Sequence, residues 1–273
     1  MSTGTQGNSA PKPDYGIDAP GIRRGMFIAG VGGAVLAAVA ASAKGFGLVG
    51  AGTASTVASV LTVLGVLVAA YGLYMGGYMT YGSRIGKLRT RDRLLEQVAE
   101  LRPWRGDEAV LDVGCGRGLM VIGAAKRLVA GERGGAVGID LWRKEDQSAN
   151  TPAAATDNAR IEGVTDRVRI DTGDARALPY ADGSFDVLLS HWVVHNLDAA
   201  EDRLKVLDEM LRVLRPGGVV VLADIACFAQ YRQHLRARGV THLRFQDGGL
   251  EARVMGVLSG GSYRPQALLA VRP

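Results

Sequence analysis

The sequence predicts an α/β domain built on a mostly parallel sheet, preceded by two apolar helices. From residue 109 onward, short segments rich in Val, Leu and Ile alternate with segments of helical periodicity. This alternation is typical of a parallel sheet with helices on both faces. Between Gly25 and Ser83 the only charged residue is Lys44, and so long an uncharged stretch is unusual for a soluble domain.

Charge is unevenly distributed along the 273-residue chain, whose net charge is +5 at pH 7. Residues 1–93 contain nine Lys or Arg and three Asp or Glu, whereas residues 94–273 contain 23 and 24. The predicted α/β domain is therefore nearly neutral, which argues against a nucleic-acid partner. The two cysteines, Cys115 and Cys227, are expected to be free thiols, and no Cys/His spacing indicates a metal site.

The N-terminal third is predicted to hold a disordered tail (residues 1–25) and a transmembrane anchor of two helices (residues 26–83). Met26–Ala43 and Thr56–Met79 contain no charge, and a membrane-spanning helix needs about 20 apolar residues. A core helix would show a polar face, and a signal peptide would leave the second run unexplained. Basic residues flank the pair on both sides. The positive-inside rule then predicts a multi-pass protein of the cell (inner) membrane with both termini, and so the domain that follows the helices, in the cytoplasm.

Residues 84–103 are predicted to form a basic linker followed by an amphipathic helix. Leu94, Leu95, Val98 and Leu101 recur at helical spacing, with charged residues between them. Such a helix packs on the domain that follows. Its cationic first half also suits contact with anionic lipid headgroups.

The remaining chain, residues 104–273, is predicted to be one domain. Its strands are placed at Ala109–Val113, Ala136–Ile139, Val168–Thr172, Phe185–Ser190 and Val219–Asp224, with closing strands at Leu243–Phe245, Ala252–Leu258 and Ala267–Val271. Its helices are placed at about Leu119–Val129, Pro152–Glu162, Glu201–Leu214 and Phe228–Arg238.

A glycine-rich turn follows the first of these strands. Gly114, Gly116 and Gly118 allow a sharp turn and close approach of a ligand, and the next helix directs its free N–H groups at that ligand. A tight turn without a ligand has the same local pattern. The Gly-x-Gly-x-Gly spacing differs from the Gly-x-Gly-x-x-Gly of dinucleotide-binding proteins, which disfavours a NAD-dependent oxidoreductase.

Four further segments follow the turn in a characteristic order: Ala136–Asp140, Gly173–Ala175, Ser184–Ser190 and Val213–Val219. With the glycine turn, they resemble the class I S-adenosylmethionine-dependent methyltransferases over about Trp104–Pro273. The resemblance implies a Rossmann-like seven-stranded, mostly parallel sheet, with S-adenosyl-L-methionine as the cofactor.

The resemblance also implies roles for residues at the strand ends. Asp140 is expected to bind the ribose hydroxyls and Asp174 the adenine amino group. Asp112 is expected to orient the glycine turn and the methionine end of the cofactor. The full set of implied cofactor-binding residues is Asp112, Gly114, Cys115, Gly116, Gly118, Asp140, Leu141, Asp174, Ala175 and Ser190, with Trp142 as a further packing residue.

Two histidines follow the fourth strand and are candidates for catalysis. Methyl transfer depends mainly on alignment and desolvation, so a general base is optional. If the acceptor is a hydroxyl group, His195 is the first candidate for that base and His191 the second, with Asp224 a weaker one. A lone histidine is more often structural.

The segment Gly173–Asp186 resembles small-molecule methyltransferases of the type 11 group, including those of ubiquinone and menaquinone biosynthesis. The segment Val193–Leu197 departs from the Arg-Asn pair of the quinone enzymes. The predicted function is methyl transfer to a small acceptor at the cytoplasmic face of the membrane, and the anchor favours a lipophilic acceptor. The alternatives are a tethered methyltransferase for a soluble metabolite and a non-catalytic adenosylmethionine-binding protein.

Overall fold

A computed structural model describes residues 11–130, 134–143, 145–261 and 263–273, which belong to two compact units. The first, here called the sheet unit, comprises residues 88–143 and 149–273 together with the N-terminal residues up to Tyr15. The second, the hairpin unit, comprises residues 16–87 and 144–148.

The sheet unit is built on a seven-stranded sheet whose order is β3-β2-β1-β4-β5-β7-β6. Strands β1 to β5 are parallel, and β7 is antiparallel to both of its neighbours. This is the predicted Rossmann-like, mostly parallel sheet. The strands are β1 (Ala109–Val113), β2 (Gly135–Asp140), β3 (Val168–Thr172), β4 (Phe185–His191), β5 (Leu214–Asp224), β6 (Leu243–Gln246) and β7 (Gln266–Val271).

Two apolar cores cover the faces of this sheet. Successive residues of β1 point to opposite faces, so Val110 enters one core and Leu111 the other, and neither is exposed. Both cores are completed by helices. Along the chain the helices are α1 (Pro20–Gly45) and α2 (Thr53–Tyr81) in the hairpin unit, followed by α3 (Lys87–Leu101), α4 (Leu119–Ala125), α5 (Pro152–Ile161), α6 (Ala200–Val213), α7 (Phe228–Ala237) and α8 (Gly249–Leu258).

The prediction of a closing strand at Ala252–Leu258 is wrong, because this segment lies in α8. Gly248 and Gly249 adopt positive φ angles that start the helix. Ala252, Met255 and Gly256 then face inward at helical spacing. The apolar run was too short for its composition to distinguish a strand from a helix.

The hairpin unit contains α1 and α2, and a π-helical turn (Gly82–Gly86) follows α2. Both helices are long and apolar enough to cross a membrane. In their most apolar windows only 22% and 17% of the residues are buried within the protein, unlike a helix in the core of a soluble domain.

Glycines bring α1 and α2 into close contact. A Cβ atom at Gly65 would lie 2.6 Å from the carbonyl oxygen of Gly33, and one at Gly72 would lie 2.5 Å from that of Met26. A Cβ at Gly76 would lie 2.9 Å from the Phe27 ring. Small residues at these positions therefore let the two backbones approach, as in many membrane helix pairs.

A buried ion pair lies at the end of the hairpin unit where α1 begins and the π-helical turn follows α2. The Lys87 ammonium group, 4% exposed, donates to the carbonyl oxygen of Gly16 at 2.8 Å and pairs with Asp18 at 3.2 Å. Ser83 also donates to Asp18. The described part of the segment 1–25 thus differs from the predicted disordered tail, because Asp18 has fixed partners and α1 begins at Pro20. Residues 1–10 lie outside the described residues.

Replacing Gly72 by Ala is expected to destabilise the hairpin by about 1–3 kcal/mol, since the new methyl group overlaps backbone atoms of α1. Gly77→Ala is the matched control, because no described residue lies within 4 Å of a Cβ at that position and alanine favours a helix. The measurement is thermal unfolding of the purified chain in detergent. Equal stability of the two variants would contradict the close packing.

Candidate active site

The predicted site residues lie at the carboxyl ends of the parallel strands. From β1 the sheet is extended on one side by β2 and β3 and on the other side by β4 and β5. Ligands of open α/β sheets bind at the point between two such halves, here between β1 and β4. The glycine turn follows β1, Asp140 ends β2, and His191 ends β4. The fold thus brings the cofactor and catalytic candidates to one edge of the sheet.

The glycine turn needs its glycines for conformation. Gly114, Gly116 and Gly118 have φ angles of 73°, 51° and 88°, a region that residues with a Cβ avoid. A side chain at Gly114 would also overlap Val193. Helix α4 begins directly after the turn at Leu119, so its N-terminus faces the site.

Asp140 connects the end of β2 to the glycine turn. One carboxylate oxygen accepts a hydrogen bond from the backbone N–H of Gly116 at 2.8 Å, and the other accepts one from that of Trp142 at 2.6 Å. The Asn150 amide lies 3.4 Å from the second oxygen. Each carboxylate oxygen has a further lone pair, so ribose hydroxyls remain acceptable partners. Asn150 was not predicted from the sequence.

Asp112 is buried beneath the turn. Its Oδ2 accepts a hydrogen bond at 2.9 Å from the backbone N–H of Val121 in α4, whereas Oδ1 has no hydrogen-bond partner among the described residues. Burial, with a smaller contribution from the charge of Asp140, raises the pKa of Asp112 to about 8. An unsatisfied buried carboxyl oxygen is a suitable acceptor for a polar ligand group.

Cys115 lies in the turn, but its side chain packs inward. Its Sγ would be 2.8 Å from a Cβ at Gly138 of β2, so the missing side chain there makes room for the thiol. Burial raises the pKa of Cys115 well above its usual value. Any contact of Cys115 with a ligand would therefore come from its backbone.

Asp174 follows β3, as predicted, and is held by a residue that the sequence analysis missed. Its carboxylate accepts hydrogen bonds from the Arg176 guanidinium at 2.7–3.1 Å, and these bonds hold its pKa below the usual value. Arg176 also pairs with Asp202 at 2.8 Å. The expected contact of Asp174 with adenine must share the carboxylate with this arginine. The spacing of two residues between Asp174 and Arg176 was the available signal.

The remaining cofactor candidates differ in exposure. Leu141 is half exposed beyond the end of β2. Trp142 is partly buried, and its indole N–H donates to the Thr172 hydroxyl at 2.8 Å, which fixes the ring next to the end of β3. Ala175 packs against the apolar core. Ser190 is 1% exposed, and its hydroxyl has no hydrogen-bond partner among the described residues.

His195 forms a pair with the buried carboxylate of Asp224. The short turn Val194–Asn196 directs the His195 ring back towards the end of β5, where Nδ1 contacts Oδ1 of Asp224. Asp224 is fully buried and also accepts hydrogen bonds from the Tyr231 hydroxyl and the His195 backbone N–H. A carboxylate that accepts at both oxygens favours an Nδ1–H tautomer, which leaves Nε2 able to accept a proton.

His191 lies in an aromatic group with a different geometry. Its ring stacks on that of Trp192 at 4.9 Å, and Trp192 meets Tyr263 edge to face at 5.7 Å. Trp192 has a φ of 59°, which is rare for a bulky residue. This stacking differs from the pairing of His195 with a buried carboxylate.

Comparison with known proteins identifies the central part of this unit. Residues 111–222 match a family model described as a methyltransferase domain. Methyltransferase GfsG of Streptomyces halstedii is 39% identical over 150 residues, which are 55% of this chain and 49% of that protein. The 27-O-demethylrifamycin SV methyltransferase of Amycolatopsis mediterranei is 36% identical over 132 residues, 48% of this chain and 44% of that protein. The matches thus span about half the length of these curated relatives.

Among solved structures, the fold is similar to that of geranyl diphosphate C-methyltransferase from Streptomyces coelicolor A3(2), which contains bound S-adenosyl-L-homocysteine. The TM-score is 0.52 at 17% identity, covering 68% of this chain and 76% of that one. At this identity the likeness concerns the fold.

Replacing Asp112 by Asn is expected to change how stability depends on pH. An unfolded chain releases this proton near pH 3.8, whereas the folded protein keeps it until about pH 8. The stability that the protonated group contributes is complete below pH 3.8 and is lost as the pH rises to 8, by at most about 1.4 kcal/mol per pH unit. The wild-type melting temperature, measured without ligand, should therefore fall relative to that of Asp112→Asn between pH 5 and 8. Parallel curves would show that Asp112 is ionised throughout.

The site residues suit the cofactor that the family implies. The glycine turn lets a ligand approach the start of α4, and Asp140 ends β2 beside it. The Asp112 carboxyl and the Ser190 hydroxyl each keep a buried oxygen that, among the described residues, has no hydrogen-bond partner. Residues 111–222 of the sheet unit therefore match a methyltransferase domain, and its cofactor is S-adenosyl-L-methionine.

Proposed function

We propose that this protein methylates a hydroxyl group of a small, lipophilic acceptor at the cytoplasmic face of the cell membrane. The observation that carries this proposal is the His195–Asp224 pair at the carboxyl end of β5, on the same sheet edge as the glycine turn. Such a pair is useful for an acceptor that must lose a proton, and an alcohol is such an acceptor.

The cofactor is expected to lie across the carboxyl ends of β1 and β2. Asp140 is suited to accept from the ribose hydroxyls, and Asp112 and Ser190 are suited to contact polar groups of the methionine part. When bound, S-adenosyl-L-methionine supplies a methyl group on a positively charged sulfonium. A cationic ligand beside the buried Asp112 carboxyl would lower the pKa of that group and favour its charged form.

His195 is expected to act on the acceptor. Its Nε2 would take the hydroxyl proton as the acceptor oxygen gains its methyl group. Asp224 keeps the ring in the required orientation and stabilises the imidazolium that forms. Tyr231, buried and bonded to the same carboxylate, holds Asp224 in place.

The hairpin unit supports both the proposed location at the membrane and the proposed lipophilic acceptor. Large apolar side chains of α1 and α2 are exposed along both helices, and this surface is suited to lipid rather than water. Basic residues before α1 and after α2 favour the cytoplasm for both ends. One relative is named for 27-O-demethylrifamycin SV, a substrate that lacks a methyl group on oxygen. A lipophilic alcohol fits both observations.

Replacing Asp140 by Asn is expected to weaken S-adenosyl-L-homocysteine binding at least tenfold. The amide can no longer accept at both oxygens, so the hydrogen bond to either Gly116 or Trp142 is lost and one acceptor for the ribose disappears. The measurement is calorimetric titration of the full chain in detergent. Asp208→Asn is the control, since Asp208 in α6 pairs with His234 in α7. Unchanged affinity of Asp140→Asn would contradict the ribose assignment.

Replacing His195 by Gln is expected to lower methyl transfer by about 10²–10⁴-fold, because a general base contributes on this scale, without changing S-adenosyl-L-homocysteine affinity. The assay supplies the full chain with a methyl-labelled donor and a membrane lipid extract, and follows label into the organic phase. Asp224→Asn should lower the rate in the same way, since the ring loses its orienting carboxylate.

His234→Gln is the matched control for this experiment, because His234 also pairs with a carboxylate, Asp208, at 2.7 Å. Equal rates for wild type and His195→Gln would contradict a proton acceptor at this position. Label found only in the aqueous phase would contradict the lipophilic acceptor and favour a soluble metabolite. No transfer despite cofactor binding would favour a binding protein.

A further inference from the structure

A short N-terminal segment binds the glycine turn of the sheet unit. The backbone carbonyl of Asp14 accepts a hydrogen bond from Nε of Arg117 at 2.7 Å, and its side chain pairs with the same guanidinium at 3.0 Å. Arg117 stands between Gly116 and Gly118, and its side chain is 11% exposed. The segment that precedes α1 is thus bound to the residue at the centre of the turn.

Asn158 of α5 connects this segment to the backbone of the turn. Its side-chain amide donates to the carbonyl oxygens of Asp14 at 2.8 Å and Arg117 at 2.9 Å, and its oxygen accepts from the Asp14 N–H at 2.9 Å. Asn158 is 2% exposed, so these bonds are shielded from water. One side chain therefore fixes the Arg117 peptide and the Asp14 peptide against each other.

Tyr15 anchors the segment beside this contact. Its side chain is 5% exposed and belongs to the apolar core, and its hydroxyl donates to Glu162 at 3.0 Å. Glu162 in turn pairs with Lys126. The tyrosine ring supplies buried apolar area, which holds residue 14 in position.

The glycine turn has a particular need for such a contact. Three residues with positive φ have few side-chain contacts of their own, and glycine is the most flexible residue. A turn against which a ligand must lie binds that ligand more tightly when its backbone is fixed before the ligand arrives.

We propose that Asp14 and Tyr15 form a strap that positions the glycine turn for cofactor binding. The cofactor site is then built from two separate parts of the chain, residues 11–15 and residues 88 onward, with α1 and α2 inserted between them. Asp14 and Asn158 are positioning residues in this proposal. The identity of the ligand rests on the proposed function, but the fixing of the turn does not.

The test compares the full chain with Asn158→Ala and with a variant lacking residues 1–15. S-adenosyl-L-homocysteine affinity, measured by calorimetry in detergent, should fall about tenfold in both, equivalent to about 1.4 kcal/mol. Hydrogen exchange of the ligand-free proteins should rise in residues 113–119 and stay unchanged in β5 and β7. In the transfer assay, KM for S-adenosyl-L-methionine should rise with little change in kcat.

Thr156→Ala is the matched control on α5, because the exposed Thr156 hydroxyl donates to the carbonyl oxygen of Pro152 within the same helix. It should bind as the wild type does. Unchanged affinity and unchanged exchange in Asn158→Ala and the deletion variant would overturn the proposal, and so would exchange that rises equally in all strands, since that indicates a general loss of stability.

If the wild type itself does not bind S-adenosyl-L-homocysteine, the proposed function fails and the exchange data alone decide. A selective increase in hydrogen exchange of residues 113–119 in Asn158→Ala and the deletion variant then still supports the strap. The absence of that increase overturns the proposal.

Discussion

The hydrogen bond between the Asp140 carboxylate and the Gly116 N–H is the interaction on which the site depends. It fixes the glycine turn to the end of the neighbouring strand at 2.8 Å. Asp112 lies beneath the same glycine turn, where its carboxyl group accepts a hydrogen bond from the Val121 N–H in α4. Two carboxyl groups thus hold a backbone that has few side chains of its own. Their mutual repulsion contributes to the raised pKa of Asp112. A ligand that brings hydrogen-bond donors or positive charge to this place would favour the ionised form of Asp112 and so lower the pKa of that group.

The second half of the site depends on the pairing of β4 with β5. His191 lies opposite Ala223, and the Trp192 N–H donates to the Ala223 carbonyl at 2.8 Å. This pairing ends β4 next to Asp224, and the chain must then turn away from the sheet. The turn Val194–Asn196 does so and returns the His195 ring to Asp224. The histidine is therefore placed by backbone geometry, and its orientation by a carboxylate that is fully buried.

Local patterns predicted the parts of this protein that depend on neighbours in the sequence. The buried strands, the glycine turn and the strand-ending Asp140 follow from apolar runs and from glycines at fixed spacing. Asp174 was placed after its strand, but its partner Arg176 was not recognised, since the spacing of two residues was the only local signal. The role of Asp14 could not be predicted, because its partner Asn158 is 144 residues away. Polar composition made residues 11–15 resemble a tail, and only the folded chain reveals their contacts.

The strap also constrains how the hairpin unit can relate to a membrane. Tyr15 and Leu88 both belong to the sheet unit, so the chain must leave that unit before α1 and return to it after α2. Helices of 26 and 29 residues are about 39 and 44 Å long, enough to cross a hydrocarbon core of about 30 Å. One crossing would place Tyr15 and Leu88 on opposite sides, where they could not share one compact unit. An even number of crossings satisfies the constraint, and a pair of helices is the smallest such anchor. For helices that cross a membrane, the contacts of Tyr15 thus require both ends of the pair on the same side, as the charges beside the helices predict.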